Sequence, residues 1–147
     1  MIYDRFLNEA YENKLIVKEK PLQAYDGLIF NDRIAIRKDL ETQCEKGCIL
    51  AEELGHFHTS VGDILDYAVN SKQELKARGW AYDNTIGMDG LIRIKDCLTL
   101  EEAADTLDVT VWFLYEALIY FSDKYAPSIK HNGYIIQFIP NFEVRIA

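Results

Sequence analysis

Two adjacent carboxylates and a histidine, Glu52, Glu53 and His56, are the residues of this chain whose types and spacing could do chemistry. On a helix, Glu52 and His56 stand four apart on one face, with Glu53 beside them. H-E-x-x-H on a helix is the zinc-peptidase pattern, in which residues i and i+4 bind the metal and residue i+1 is the general base. Here the first ligand position holds Glu52 instead of histidine, His56 is the second ligand and Glu53 the base. A catalytic zinc takes three protein ligands and leaves a fourth position for water, whose pKa the metal lowers. The third ligand must come from elsewhere. One zincin solution is a glutamate on a second helix, about 18 or more residues on, often within N-x-x-x-E. Asn70-Ser-Lys-Gln-Glu74 meets that pattern, with Glu74 eighteen residues after His56.

Other readings of the same residues remain open. Glutamates on a helix are commonly just solvated. Glu53-x-x-His56 is the ligand pair of di-iron bundles, but such a bundle needs a second copy, and the chain has none. Cys48, Glu52 and His56 climb one ridge in steps of four, so a thiolate ligand is conceivable beside the reading of Cys48 as a buried structural cysteine. His58 could orient substrate, donate to an oxyanion or cap the helix end, where a cation is favourable. His131 falls in a loop and is given no role.

These residues need elements to hold them. Leu40–His58 reads as a long helix, capped by Asp39, or by Thr42 with Glu45 three residues on. Cys44, Gly47, Cys48, Ala51, Leu54 and Gly55 give it a small-residue face, so it is expected to be central and closely packed. A buried helix cannot leave Glu52, Glu53 and His56 unpaired, because buried charge needs a partner or a metal. A second helix is expected over Ser71–Ile86, with Leu75, Ala77, Trp80 and Ala81 apolar and Glu74 in its first turn; Gly87, Asp89 and Gly90 break it. Ahead of the motif, Ile2–Leu15 has helical periodicity, Leu15–Val17 suits a strand, and Leu28–Ile36 reads as a hairpin around Asn31-Asp32-Arg33. Thr59–Asp63 reads as a turn and Ile64–Val69 as a short helix. Leu91–Cys97 is short and apolar.

Leu98–Tyr125 reads as two helices joined at Asp108-Val109, with Thr99 and Glu102 as a capping box and Thr110 starting the second helix. The outline is that of a helix-turn-helix. Six acids and one base, Lys124, lie between Thr99 and Tyr125, so phosphate contacts are not expected. The aromatics there are expected to be mostly core, partly a partner surface. Pro127–Gly133 reads as a polar link before a C-terminal hairpin of Tyr134–Ile139 and Phe142–Ile146.

The bulk numbers set the frame. At 147 residues with 49% hydrophobic content, the chain can build a real core. A net charge of −8 argues against nonspecific binding to nucleic acid or an anionic membrane and suits a basic partner, though it also serves solubility alone. Three cysteines without framework spacing point to a reducing compartment. With no signal peptide and no apolar run near the ~18 residues of a membrane span, a cytoplasmic location is expected.

The stretch Cys48–Thr59, with Ile-Leu-Ala-Glu-Glu-Leu-Gly-His at its centre, resembles the ImmA/IrrE family of metallo-endopeptidases of phages and mobile elements. The following helix is similar to that family's Glu-x-x-Ala-x-x-aromatic-Ala pattern, through Glu74, Ala77, Trp80 and Ala81. The likeness covers about Leu15–Ile86. It implies an α+β, zincin-like fold with a small antiparallel sheet, a central motif helix and a helical C-terminal part. Residues 1–90 would be the metallopeptidase-like domain and residues 91–147 a subdomain with a terminal hairpin. It further implies zinc-dependent cleavage of a helix-turn-helix repressor, with His56 and Glu74 as ligands and Glu53 as base. Glu52 departs from the family's usual histidine. A site of two carboxylates and one imidazole would hold the metal's charge more fully, polarise bound water less and tilt affinity toward manganese or iron. The alternative is a member without activity that binds the repressor and does not cut it.

Overall fold

The computed structural model describes residues 1–60 and 67–147, with side chains left aside for 67–70. Its described residues form an α+β protein of six helices and two small three-stranded sheets. The chain divides into two compact units, Met1–Ala81 and Tyr82–Ala147. No described helix is long and apolar enough to cross a membrane.

In the first unit, α1 (Ile2–Glu12) buries Ile2, Tyr3, Phe6 and Ala10, one stripe at helical spacing. It packs on α2 (Gln43–Thr59), the motif helix. Thr42 caps α2, its Oγ1 accepting from the Glu45 amide at 3.1 Å, whereas Asp39 is engaged by Arg37 at 3.6 Å. Because the cap is exposed and makes one bond, Thr42→Ala should cost about 1 kcal/mol, read as a lower urea midpoint; an unchanged midpoint would mean the cap contributes nothing. The apolar side of α2 is fully packed, with Leu50, Ala51 and Leu54 at 0% exposure. Lys46 is also buried, and its Nζ lies 2.6 Å from Glu19 Oε1. Glu19 accepts from the Tyr3 hydroxyl at 3.4 Å. Burial and the Glu19 charge push the Tyr3 phenol up to about 12, so it stays a neutral donor.

The sheet of this unit runs β1 (Ile16–Lys20), β3 (Arg33–Arg37), β2 (Gly27–Phe30). It is mixed, which corrects the expected antiparallel sheet. The β2–β3 hairpin is antiparallel, but β1 pairs with β3 in parallel, Ile16 opposite Arg33 and Lys20 opposite Arg37. The reason lies in residues 21–26, which carry the chain from one edge strand to the other, so the central strand is filled last. Ile34 and Ile36 are buried on one face, and α2 packs on both β2 and β3.

The next helix, α3, spans Tyr67–Thr85, so it starts earlier than Ser71 and Glu74 ends its second turn, not its first. Residues 61–66, where a turn and the start of a short helix were expected, lie outside the described residues; Tyr67–Val69 belong to α3. Leu75, expected on the apolar face, is 68% exposed, while Ala77 and Ala81 are at 0%. These two alanines leave room for the α2 backbone.

The second unit has α4 (Gly87–Arg93), α5 (Leu100–Leu107) and α6 (Val111–Tyr125). The glycines expected to break helical structure only punctuate it. Gly87 sits at φ +60°, and a new helix starts there. Thr99 caps α5 by accepting from the Glu102 amide at 3.1 Å, and the Glu102 carboxylate returns to the Leu98 amide at 3.0 Å. Asp108 closes α5 in the left-handed conformation, and Thr110 caps α6 through the Phe113 amide. The expected polar link contains a strand, β4 (Ser128–His131). With β5 (Tyr134–Gln137) and β6 (Glu143–Ile146) it makes an antiparallel meander in place of a two-stranded hairpin. Asn132 and Gly133, both at positive φ, form the β4–β5 turn that the sequence reading merged into a link.

Candidate functional site

The site starts from a backbone contact. A Cβ on Gly55 would lie 2.2 Å from the Ala77 carbonyl oxygen and 2.8 Å from its carbonyl carbon. Only glycine lets α2 and α3 approach so closely. Gly55 immediately precedes His56, and Ala77 stands three residues after Glu74 on the same face of α3. The contact therefore delivers His56 Nε2 to within 2.8 Å of Glu74 Oε2. The pair is accessible, with side-chain exposures of 21% and 47%.

Glu53 lies under β2. A Cβ on Gly27 would meet Ile49 Cγ2 at 2.6 Å, then Glu53 Oε1 at 3.0 Å and Glu53 Cγ at 3.1 Å. Gly27 thus makes room for a carboxyl group against strand backbone. Burial, reinforced by the negative charges of Glu52 and then Glu74, pushes the Glu53 carboxyl up to about 8. The group holds a proton at neutral pH in the protein alone. Glu52, Glu53 and Glu74 share one field, and His56 is hydrogen-bonded into it.

Does this arrangement suit a metal? Its donor types do: an imidazole nitrogen and carboxylate oxygens suit zinc, manganese or iron. The negative charge that adds to burial in keeping Glu53 protonated is the field a cation would relieve. Two ligands of a tetrahedral zinc are separated by roughly 3.3 Å, given metal–ligand distances near 2.0–2.1 Å. His56 and Glu74 sit slightly closer, in a direct hydrogen bond. Among the described residues, however, no three His, Cys, Asp or Glu side chains are grouped as a metal ion requires. Glu52 acts on Glu53 through its charge.

His58 lies in the last turn of α2, the helix end at which it was expected. Its ring stacks on Trp80 at 4.7 Å, meets the edge of Phe57 at 5.0 Å, and brings Nε2 to 3.7 Å from Glu9 Oε2. That Glu9 oxygen is buried and makes no hydrogen bond. Trp80 also faces Phe6 at 6.1 Å, so the aromatic of the Glu74-Ala77-Trp80-Ala81 pattern joins α1, α2 and α3. Cys48 is buried, 4% exposed. His131 contacts Asp89 Oδ1 at 3.0 Å, with Asn132 Nδ2 donating to the same oxygen at 2.9 Å, a local tie within the second unit. Sequence reasoning missed Gly27 and Glu9. Gly27 carried a signal, a glycine opening a strand, which often marks a close approach of another group. Glu9 carried none.

Fold and site together define an α+β protein with a carboxylate–histidine cluster on two closely packed helices. No family model, curated protein or solved structure matches the chain.

Proposed function

We propose that the chain is a metal-dependent, zincin-like endopeptidase of the ImmA/IrrE kind that cleaves a helix-turn-helix repressor of a phage or mobile element. The observation that carries the reading is the 2.8 Å pair of His56 and Glu74 across two helices, with Glu53 half-buried beside it. His56, Glu74 and Glu52 would hold zinc, or manganese or iron, and a bound divalent cation would supply an acidified water at neutral pH. On this reading Glu53 would be the general base, ionised once a bound cation relieves the surrounding negative charge, taking a proton from the nucleophile and returning it to the leaving amine. The acidic surface suits a basic, DNA-binding partner.

A second reading is favoured by Glu52 and by the lack of a three-donor group among the described residues: the protein binds the repressor intact. Elemental analysis of the purified protein beside Glu52→His separates the two. On the peptidase reading the parent carries near-stoichiometric metal, Glu74→Ala loses it, and incubation with the repressor yields two fragments. Glu52→His then raises metal occupancy and cleavage together. A metal-free parent that binds repressor without cutting it establishes the second reading.

A further inference from the structure

We propose that the exposed face of α6 is a docking surface for a basic, amphipathic segment of a partner protein. The inference rests on α6 and its surroundings alone, so it stands whether or not the cluster on α2 and α3 holds a metal. Helix α6 is apolar on two sides. Phe113, Leu114, Ala117 and Phe121 are buried and account for its packing. Trp112, Tyr115 and Ile119 remain 66%, 47% and 46% exposed. At spacings of three and four these form one stripe about 60° wide. The Trp112 and Tyr115 rings stack on each other, centroids 5.5 Å apart and planes 26° from parallel, which makes a flat aromatic platform in solvent. Val111 extends it at the start of the helix, 37% exposed.

Trp112 and Tyr115 lie in the first turns of the second helix of the helix-turn-helix outline, the part that reads bases in DNA-binding members. The turn before it, Asp108 to Thr110, has the three-residue length of that motif. The chemistry is the opposite of a DNA reader. The exposed first turns of α6 offer no Arg, Lys, Asn or Gln. Glu116 and Asp123 border the stripe, and α5 exposes Glu101, Glu102 and Asp105. Lys124 is the only base between Thr99 and Tyr125, and it is engaged with the Tyr120 ring and hydroxyl.

The acids that flank the platform on α6, Asp123 and a Glu116 that accepts from the Tyr82 hydroxyl at 3.2 Å, together with those exposed on α5, form its acidic rim and select its occupant by charge. Phosphate is repelled, which excludes nucleic acid. An anionic membrane is repelled too, since interfacial helices carry Lys and Arg on their polar face. A second copy using the same surface would bring two acidic rims together, and like charges facing each other oppose association. A segment with apolar residues at helical spacing and lysines or arginines beside them satisfies both platform and rim. Tyr and Trp are the residue types that most often anchor such contacts.

The test uses the full chain and two synthetic helical peptides of equal length, both with leucine at helical spacing, one with lysine and the other with glutamate at the remaining positions. Fluorescence anisotropy of the labelled peptides reports binding. The lysine peptide should bind and the glutamate peptide should not, with affinity falling as salt rises. Trp112→Ser with Tyr115→Ser should weaken the lysine peptide about thirtyfold, the usual size for loss of central aromatic anchors. Both side chains are exposed, so circular dichroism and melting temperature should stay at parent values. The control Asp32→Asn with Glu41→Asn, exposed acids of the first unit, should leave binding unchanged. Three results overturn the proposal: equal binding of both peptides, full binding by the Trp112/Tyr115 variant, or a parent dimer in sedimentation that the same variant dissociates, which would assign the stripe to a second copy.

Discussion

In the metal-free protein, Glu53→Gln should remove a large, pH-dependent loss of stability. The sign follows from proton linkage. The Glu53 carboxyl holds its proton up to about 8 in the folded chain, against an ordinary value of 4.5 once unfolded. Between these limits the native state binds more protons than the unfolded state, so stability falls as pH rises. The contribution is fully present below pH 4.5 and is lost as pH passes through about 8. Its span corresponds to roughly 5 kcal/mol, a large share of the 5–15 kcal/mol typical of a whole domain. Glutamine fills the same space under Gly27 without titrating. Urea denaturation of parent and variant from pH 5 to 9, both treated with chelator, checks this. The difference between the two curves isolates Glu53 from every group common to both proteins. The variant should gain on the parent as pH rises and exceed it by several kcal/mol at pH 8. Parallel curves would mean that Glu53 is solvated and that its burial beneath β2 has no energetic consequence. On the peptidase reading the same variant retains metal and loses cleavage, because glutamine keeps the shape and lacks the basic oxygen.

The second large effect is expected at Gly55. An added methyl would sit 2.2 Å from the Ala77 carbonyl oxygen, inside any permissible contact, and the obstacle is backbone that cannot rotate away. Alanine in a helix gains about 1 kcal/mol over glycine in propensity. Forcing two packed helices apart costs more, here about 3 kcal/mol or above, since overpacking of a tight core already costs 1–3 kcal/mol where side chains can yield. Gly55→Ala should therefore lower the urea midpoint with the slope unchanged. It should also separate His56 from Glu74, so a variant that does fold loses whatever that pair supports. A midpoint equal to or above the parent's would show that α2 and α3 are not in backbone contact at this point.

Much of the molecule was legible in its local patterns. The cap at Thr42, the Thr99–Glu102 box, the β2–β3 hairpin and the two helices on either side of Asp108 depend on residues within a few positions of each other, and each formed where its signal lies. Failures came where the decisive partner is distant. Nothing within Ile16–Lys20 says that this strand lies parallel to β3, because that depends on where residues 21–26 take the chain. The β4 strand was hidden by its polar composition and is held by pairing with β5. Leu75 looked like core and is exposed, since the turn of α3 that faces α2 is set by Ala77 and Ala81.

The candidate site divides in the same way. The sequence by itself determined which groups stand together on α2: Glu52, Glu53 and His56 follow from helical spacing, as does the offer of Glu74 on a later helix. Tertiary structure alone decided that His56 meets Glu74, through a glycine against an alanine carbonyl. It alone decided that Glu53 keeps its proton, through a strand glycine that lets the carboxyl group lie under backbone. It also set His58, in the last turn of α2, against the face of Trp80. Periodicity places side chains along one helix, but distance between helices and the loss of solvent around a carboxylate are set by the smallest residues of other elements, and those leave only a faint trace in the order of the letters.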